Sequence, residues 1–537
     1  MPRLLVADKI AEAGLALLRE NRELKFDVRH GLSVPELAAA IGEYDGVLIR
    51  SGVSITAEVL ARPGRLAVIA RAGVGVDNVD LDAATRKGVL VLNTPDANTI
   101  STAEHTFAMM LALHRKLPDA HHHVLAGEWN RSAYQGQQLA GQTLGIVGFG
   151  RIGRAVARRA RAFEMKILAY DPFVSQDSAL DGAVRVVHDL RELLAAADCV
   201  TLHASVSDKS KPLIGAEELA AMKPGARLVN CARGALVDEN ALADALNTAR
   251  LGGAAIDVYA HEPPAGSPLL TARNVVLTPH LGASTAQAQE QVSVEAVEAV
   301  LAYLLHGEIR SPVNVTGLPS TLTERGRAFV DLCARMGTIL SVWCDRGIER
   351  LSLTTHGQAL SDLCGTLAWQ TLASVLAPHL DERVNLVNAR DQAERRGIAV
   401  EHRAQLGRAD YPEAAYAVVI AGGQRYEIKG TVLTDGRPRV FAINDYRMEM
   451  IPERSIVLIF NDDQPGVIGR VGQQCGDAGV NIADMALSRR GPTALMVLKL
   501  DEPLPEAVQA TLRSQNPPIR SVHTVSLPPL LTGIDGP

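Results

Sequence analysis

Short apolar runs alternate with helical stretches through the first part of the chain. Leu4–Ala7, Gly46–Ile49, Leu66–Ala70 and Val89–Leu92 each have the length of one strand. That alternation predicts a parallel sheet with crossover helices. Residues 99–114 then read as a helix, capped by Asn98 or Thr99, with apolar residues at Ile100, Phe107, Met110 and Leu111. A second series begins at Leu139, with candidate strands at 143–148, 166–171, 198–203, 226–231, 253–258 and 274–278. Six strands in this order suit a doubly wound nucleotide-binding domain. Residues 283–307 return to a helix rich in Ala, Val and Glu. Two α/β units joined by these two helices predict a cleft that closes around a ligand.

Ser311-Pro-Val-Asn-Val315 breaks the pattern and marks a linker. Beyond it, a helical stretch at Thr323–Asp345 is followed by alternating, strand-like runs at Tyr416–Ile420 and Arg425–Thr431. Ile451-Pro-Glu-Arg454 punctuates again. The last unit reads as strand 455–460, turn 462–466, helix 467–478, strand 480–488, strand 493–500, helix 505–512 and a strand near 522–525. The order βαββαβ is the ferredoxin-like split motif. The expected partition is residues 1–97 with 283–310 as one domain and 98–282 as a second. An α+β domain at 313–450 and a small one at 453–537 follow.

The strand from Thr143 runs into Gly148-x-Gly150-x-x-Gly153 and then into a helix-forming segment. The first glycine makes the tight turn, the second lets backbone approach a pyrophosphate, and the third lets helix pack on strand. The free N–H groups and positive dipole end at the helix start suit the phosphates. Asp171 closes the next apolar strand near the spacing at which a carboxylate accepts ribose hydroxyls. Together these predict a dinucleotide site, and the acid favours NAD over NADP.

Composition narrows the field. The 537 residues carry a net charge of −6, with 47% apolar and 21% charged residues. This gives no electrostatic case for nucleic acid or an anionic membrane surface, so an anion pocket has to be built from individual arginines. No run reaches the ~18 apolar residues of a membrane span. The run at Leu4–Ala7 is too short for a signal-peptide core and reads as a first strand. Six cysteines (199, 231, 333, 344, 364 and 475) form no C-x-x-C pair, which fits free thiols in a reducing cytoplasm. Consecutive residues of a helix point different ways, so His121-His-His123 is not expected to bind metal.

Arg233, Glu262 and His280 follow three successive candidate strands. Carboxyl ends of parallel strands share one edge, where ligands bind. Oxidising a secondary alcohol needs a base for the hydroxyl proton, and histidine titrates in the right range. A carboxylate on its other nitrogen fixes the tautomer. A guanidinium grips a substrate carboxylate through its planar fork.

Arg71-Ala-Gly-Val-Gly-Val-Asp-Asn-Val-Asp80, Val229-Asn-Cys-Ala-Arg-Gly-Ala-Leu-Val-Asp-Glu239 and Thr278-Pro-His-Leu-Gly-Ala-Ser-Thr285 resemble the D-isomer-specific 2-hydroxyacid dehydrogenases over about residues 1–310. Within that family the likeness is to the long-form branch that oxidises 3-phosphoglycerate at the entry to serine biosynthesis. The third region resembles the intervening domain of that branch. The last unit resembles an ACT regulatory domain through Asp463-Gln-Pro-Gly466 and Gly479-Val-Asn-Ile482. The resemblance makes His280 the acid/base, Glu262 its partner and Arg233 the carboxylate anchor. It puts Arg151 and Ile152 at the pyrophosphate, Asp171 at the ribose and Asp257 at the nicotinamide carboxamide. Val74, Ala204, Cys231, Ala232, Gly282 and Ala283 complete the cofactor contacts. Gly73, Arg50 and Arg71 become substrate residues, with the two arginines and Arg131 of a neighbouring subunit as candidates for the phosphate, and Asp463 with Asn481 a site for L-serine. A homo-oligomer, dimer or tetramer, is implied.

One departure is His203-Ala-Ser-Val-Ser207, where the family usually has His-Thr-Pro or His-Val-Pro; Ala204 has no hydroxyl to offer. Two rival readings are a reductase for glyoxylate, hydroxypyruvate or D-lactate, and an NAD-sensing protein of corepressor type. The extra C-terminal residues and arginines speak against the first, and the retained Arg233, Glu262 and His280 against the second.

Overall fold

The computed structural model describes residues 1–174, 184–205, 212–315, 317–319, 322–345, 347–407, 409–515 and 518–530. The first sheet holds β1 (Arg3–Val6), β2 (Lys25–Val28), β3 (Gly46–Ile49), β4 (Val68–Arg71) and β5 (Leu90–Leu92). All are parallel, in the order β2-β1-β3-β4-β5. Strand β2 has no apolar run to announce it, because three of its four residues are exposed at the edge. The expected linker does more than connect. Val313 N–H donates to Val91 O (2.8 Å), and Asn314 Oδ1 accepts from Val91 N–H (2.8 Å). The segment therefore covers the open side of β5, which would otherwise be a free edge.

The second sheet holds β6 (Thr143–Val147), β7 (Lys166–Tyr170), β8 (Arg185–Val187), β9 (Cys199–Leu202), β10 (Arg227–Asn230), β11 (Gly253–Ile256) and β12 (Val275–Leu277). Its order is β12-β11-β10-β9-β6-β7-β8, all parallel. Order reverses between β6 and β9, the switch point at which doubly wound sheets bind ligands. Six strands were expected; the seventh is the three-residue edge strand β8. The helix Thr99–Arg115 packs Phe107 and Met110 against Leu144, Ile146 and Val156 of this unit. The helix Ala286–His306 returns to the first sheet, with Val292, Val297 and Val300 against Leu4, Leu48 and Val68.

The third sheet is mixed: β13 (Ile348–His356), β14 (Ala399–Gln405), β15 (Ala414–Ala421), β16 (Gln424–Val432), β17 (Pro438–Ile443) and β18 (Tyr446–Met450), ordered β14-β13-β15-β16-β17-β18. Helices Glu324–Ser341 and Cys364–Leu376 share its core. The fourth sheet is antiparallel: β19 (Arg454–Asp462), β20 (Ile482–Arg490), β21 (Thr493–Leu500) and β22 (Ile519–Leu527), ordered β20-β21-β19-β22. Strand β19 is apolar on both sides. Val457 and Ile459 face the unit's own helices through Val467, Val471 and Leu512. Ile456 and Leu458 join Leu332, Met336 and Val440 in the core of the third unit.

Arg335 pins this joint. Only 2% exposed, it donates to the carbonyls of Pro452 (2.9 Å), Pro528 (2.6 Å) and Pro529 (3.2 Å) and to Asp331 (2.7 Å). Arg335→Ala should cost about 3 kcal/mol, since it empties the space of a buried side chain and leaves the buried Pro452 carbonyl without its donor. Limited proteolysis near residues 451–454 should quicken in the variant; an unchanged cleavage rate and melting curve would show the clamp to be dispensable.

Candidate functional site

Strand β6 ends in a glycine loop whose residues meet three different constraints. Gly148 has φ 92°, a left-handed conformation that disfavours side chains, and a Cβ there would strike the backbone of His203 and Ala204. At Gly153 a Cβ would collide with the Gly148 carbonyl. Around Gly150 there is open space, and it heads the helix Arg151–Ala162 with no side chain capping the helix. Uncapped N–H groups facing an open approach fit a pyrophosphate. Ile152 packs its side chain into the core, leaving its backbone at the helix start. Arg151 pairs with Asp96, which links residues 94–99 to the start of this helix.

In that segment Thr94 Oγ1, Asn98 Oδ1 and Thr99 Oγ1 are buried without a partner, as is His203 Nδ1 beside the loop. Burial pushes His203 down to about 3, so its ring stays neutral. Buried polar atoms left unpaired suit a bound polar ligand. Sequence patterning missed Thr94 and Thr99 as site residues, since an unpaired hydroxyl has no sequence signature. Asp171 Oδ2 accepts from Phe149 N–H (2.8 Å) and Oδ1 from Phe173 N–H (2.9 Å). Each oxygen keeps capacity for a ribose hydroxyl. Ala204 lies against the Gly148 turn; Val206 and Ser207 lie outside the described residues.

Across from this loop three arginines converge. The Arg71 and Arg233 guanidinia lie against Gly73 and Gly75, where a Cβ would collide with them. The loop is pinned by Asn93 Nδ2 donating to Val74 O (2.7 Å). Burial first, then the charges of Arg233 and Arg50, holds the Arg71 guanidinium below its usual pKa. Arg233 pairs through Nε with Asp77 (3.2 Å) and donates from Nη1 to Ala232 O (2.7 Å). Arg50 donates to Lys9 O (3.0 Å) and to Gln289, whose own amide bonds Ala283 O (2.8 Å). Arg131 does not join them. It is exposed on the 3-10 turn Arg131–Tyr134, after the helix Leu117–Leu125.

His280 follows β12 with φ 55°, and its Nδ1 lies 2.8 Å from Glu262 Oε2. Glu262 Oε1 accepts from Tyr259 N–H (3.2 Å). The imidazole is half exposed, which leaves Nε2 to face a ligand. Asp257 is fully buried. Its Oδ1 accepts from Thr278 Oγ1 (2.6 Å) and Leu281 N–H (2.7 Å), and its Oδ2 from Gly282 N–H (2.9 Å). Burial alone would raise this carboxyl, but bonds from His105, Thr278 and Leu281 prevail and hold it below the usual range. Its described bonds thus serve the turn carrying His280. Cys231 is buried beside it, and burial pushes the thiol up to about 12. His123 pairs with Glu128 (2.8 Å).

Asp463 and Asn481 are not brought together within one chain. Asp463 is bonded by Arg489 Nε (2.6 Å), near the end where Asp462 pairs with Thr493. Asn481 donates to Asp501 (2.7 Å), near the opposite end, where Ile482 pairs with Leu500.

A model of the NAD binding domain of D-isomer specific 2-hydroxyacid dehydrogenases matches residues 107–282. One of the D-3-phosphoglycerate dehydrogenase intervening domain matches 325–444, and one of the ACT domain 455–516. The D-3-phosphoglycerate dehydrogenase of Synechocystis is 39% identical over 98% of this chain and 95% of its own length. That of Methanocaldococcus jannaschii is 37% identical over 98% of this chain and 100% of its own length. The chain belongs to the D-3-phosphoglycerate dehydrogenase family. It has that family's long form, with NAD as cofactor of an oxidoreductase and an intervening and an ACT domain behind it. A glyoxylate reductase structure from Paecilomyes thermophila superposes with TM-score 0.54 at 31% identity, covering 97% of that chain but 58% of this one.

The open space at Gly150 separates ligand contact from folding. Gly150→Val should leave the melting temperature unchanged and weaken NADH binding at least tenfold, read by nucleotide fluorescence. Equal loss of stability and affinity would mean the glycine serves packing.

Proposed function

We propose that the chain oxidises D-3-phosphoglycerate to 3-phosphohydroxypyruvate with NAD, the entry step of L-serine biosynthesis in the cytoplasm. The observation that carries this reading is one His–Glu pair on the same cleft as three convergent guanidinia. His280 Nε2 takes the hydroxyl proton while Glu262, on Nδ1, stabilises the imidazolium. NAD, held along the Gly148–Gly153 loop with its ribose at Asp171, accepts the hydride. Arg233 grips the carboxylate. Arg50 and Arg71 hold the phosphate, whose charge relieves the repulsion among the three arginines. A reductase of unphosphorylated acids has no use for that additional pair of cations.

A second copy of the chain completes the assembly. The helix Leu117–Leu125 buries none of its residues, and Leu117, Val124, Leu125 and Trp129 are exposed. Apolar surface of that kind marks an interface, and it puts Arg131 within a neighbour's reach. L-serine acts on the ACT unit, with Asp463 and Asn481 from paired copies taking its polar groups. The edge strand β20, with Met485 and Leu487 exposed, supports edge-to-edge pairing. Such binding slows catalysis only if serine binds two arrangements unequally.

The deciding experiment compares NADH production from 3-phosphoglycerate and from glycerate, each with and without L-serine. The phosphorylated substrate should win in kcat/KM, Arg71→Ala should erase most of that margin, and serine should inhibit. A preference for glycerate sinks the substrate assignment, and indifference to serine sinks the regulatory one. His280→Asn should lower kcat by roughly 10²–10⁴ with NADH affinity nearly intact; parallel losses would make the histidine structural.

A further inference from the structure

His280 adopts a left-handed conformation that residues bearing side chains keep only where their surroundings hold them in it. The holding residue is Asp257. Its carbonyl accepts from His280 N–H (2.9 Å), and its carboxylate ties Thr278, Leu281 and Gly282. A fully buried carboxylate needs strong donors of its own. No arginine or lysine bonds it among the described residues. The side chain that bonds it from the helix Thr99–Arg115 is His105, whose Nε2 lies 3.1 Å from Asp257 Oδ1 and 3.3 Å from Thr278 Oγ1.

His105 comes from the helix Thr99–Arg115, at the junction of the two α/β units. The same helix touches the turn once more, through Thr102 Oγ1 donating to Gly282 O (3.2 Å), and meets the cap of the following helix through Ser101 Oγ and Thr285 Oγ1 (2.7 Å). We propose that His105 is a positioning residue: its bond to Asp257 sets the Thr278–Gly282 turn and so the aim of His280. This rests on His280 being the proton acceptor. Ligand atoms of His105, Cys231 and Asp257 also lie within 4.8 Å of one another, a spacing a metal ion could bridge. The hydrogen-bonded reading is favoured because the Asp257 oxygens already take three donors besides His105, and burial keeps the Cys231 thiol protonated.

The test uses the full-length protein and three substitutions. His105→Phe keeps the ring's bulk and removes the donor; it should lower kcat on 3-phosphoglycerate about 10-fold to 100-fold, the scale of an ångström-sized misplacement, with NADH affinity within about twofold. His105→Gln places an amide nitrogen near the Nε2 position and should restore most of kcat, whereas the shorter His105→Asn should not. Wild-type kcat in the Phe variant, or a Gln variant as slow as Asn, overturns the proposal. If the Phe variant does not fold, the Gln–Asn contrast decides alone. A nearly inactive His280→Asn beside a normal His105→Phe sinks only this inference, while a fully active His280→Asn sinks the reading beneath it.

Discussion

Parallel strands place all their carboxyl ends on one edge of a sheet, and the chemistry of this chain depends on that constraint. The nucleotide-binding sheet delivers its glycine loop, Asp171, Arg233, Glu262 and His280 from the ends of β6, β7, β10, β11 and β12. The first sheet delivers Arg50 and Arg71 from the ends of β3 and β4. Two helices, Thr99–Arg115 and Ala286–His306, connect the units so that the two edges face each other. Residues far apart in the chain meet because the fold leaves strand ends nowhere else to go.

Legibility in the sequence followed burial. Strands covered on both faces are continuous apolar runs and could be located to within a residue or two, β4 being the loosest. The strands not located were the short edges β2 and β8 and, in the third sheet, β13, β14, β17 and β18, whose apolar positions are interrupted by polar or charged ones. The glycine fingerprint was legible because each glycine answers to a local steric demand. His280 and Glu262 were legible as a pair only through their positions after successive strands. What could not be read were properties of the assembled structure: the neutral buried ring of His203, the set of donors filling Asp257, and the use of residues 312–314 to cover a sheet edge. His105 looks in sequence like any polar residue of a helix. Its partner lies across the domain.

The C-terminal unit is not tethered loosely. Its sheet gives one face to its own helices and the other to the core of the third unit, and Arg335 gathers carbonyls from both ends of that unit into one cation. The third unit in turn holds the first, with Arg383 donating to Gly64 O (3.1 Å) and Asn385 to Gly88 O (2.8 Å). A continuous chain of packed contacts therefore runs from the ACT sheet to the sheet that carries Arg50 and Arg71.

All six cysteines are buried, and burial pushes Cys199, Cys231, Cys333 and Cys344 up to about 12. A thiol held there is ionised on the order of one part in 10⁵ at neutral pH, and only the thiolate reacts. Alkylating reagents then report opening of the structure rather than surface chemistry. Cys199 and Cys231 mark the nucleotide sheet, Cys333, Cys344 and Cys364 the third unit, and Cys475 the last, while the first sheet carries no such label. The chain has, in effect, a built-in set of clocks, one for each of three units, that start only when that unit unfolds.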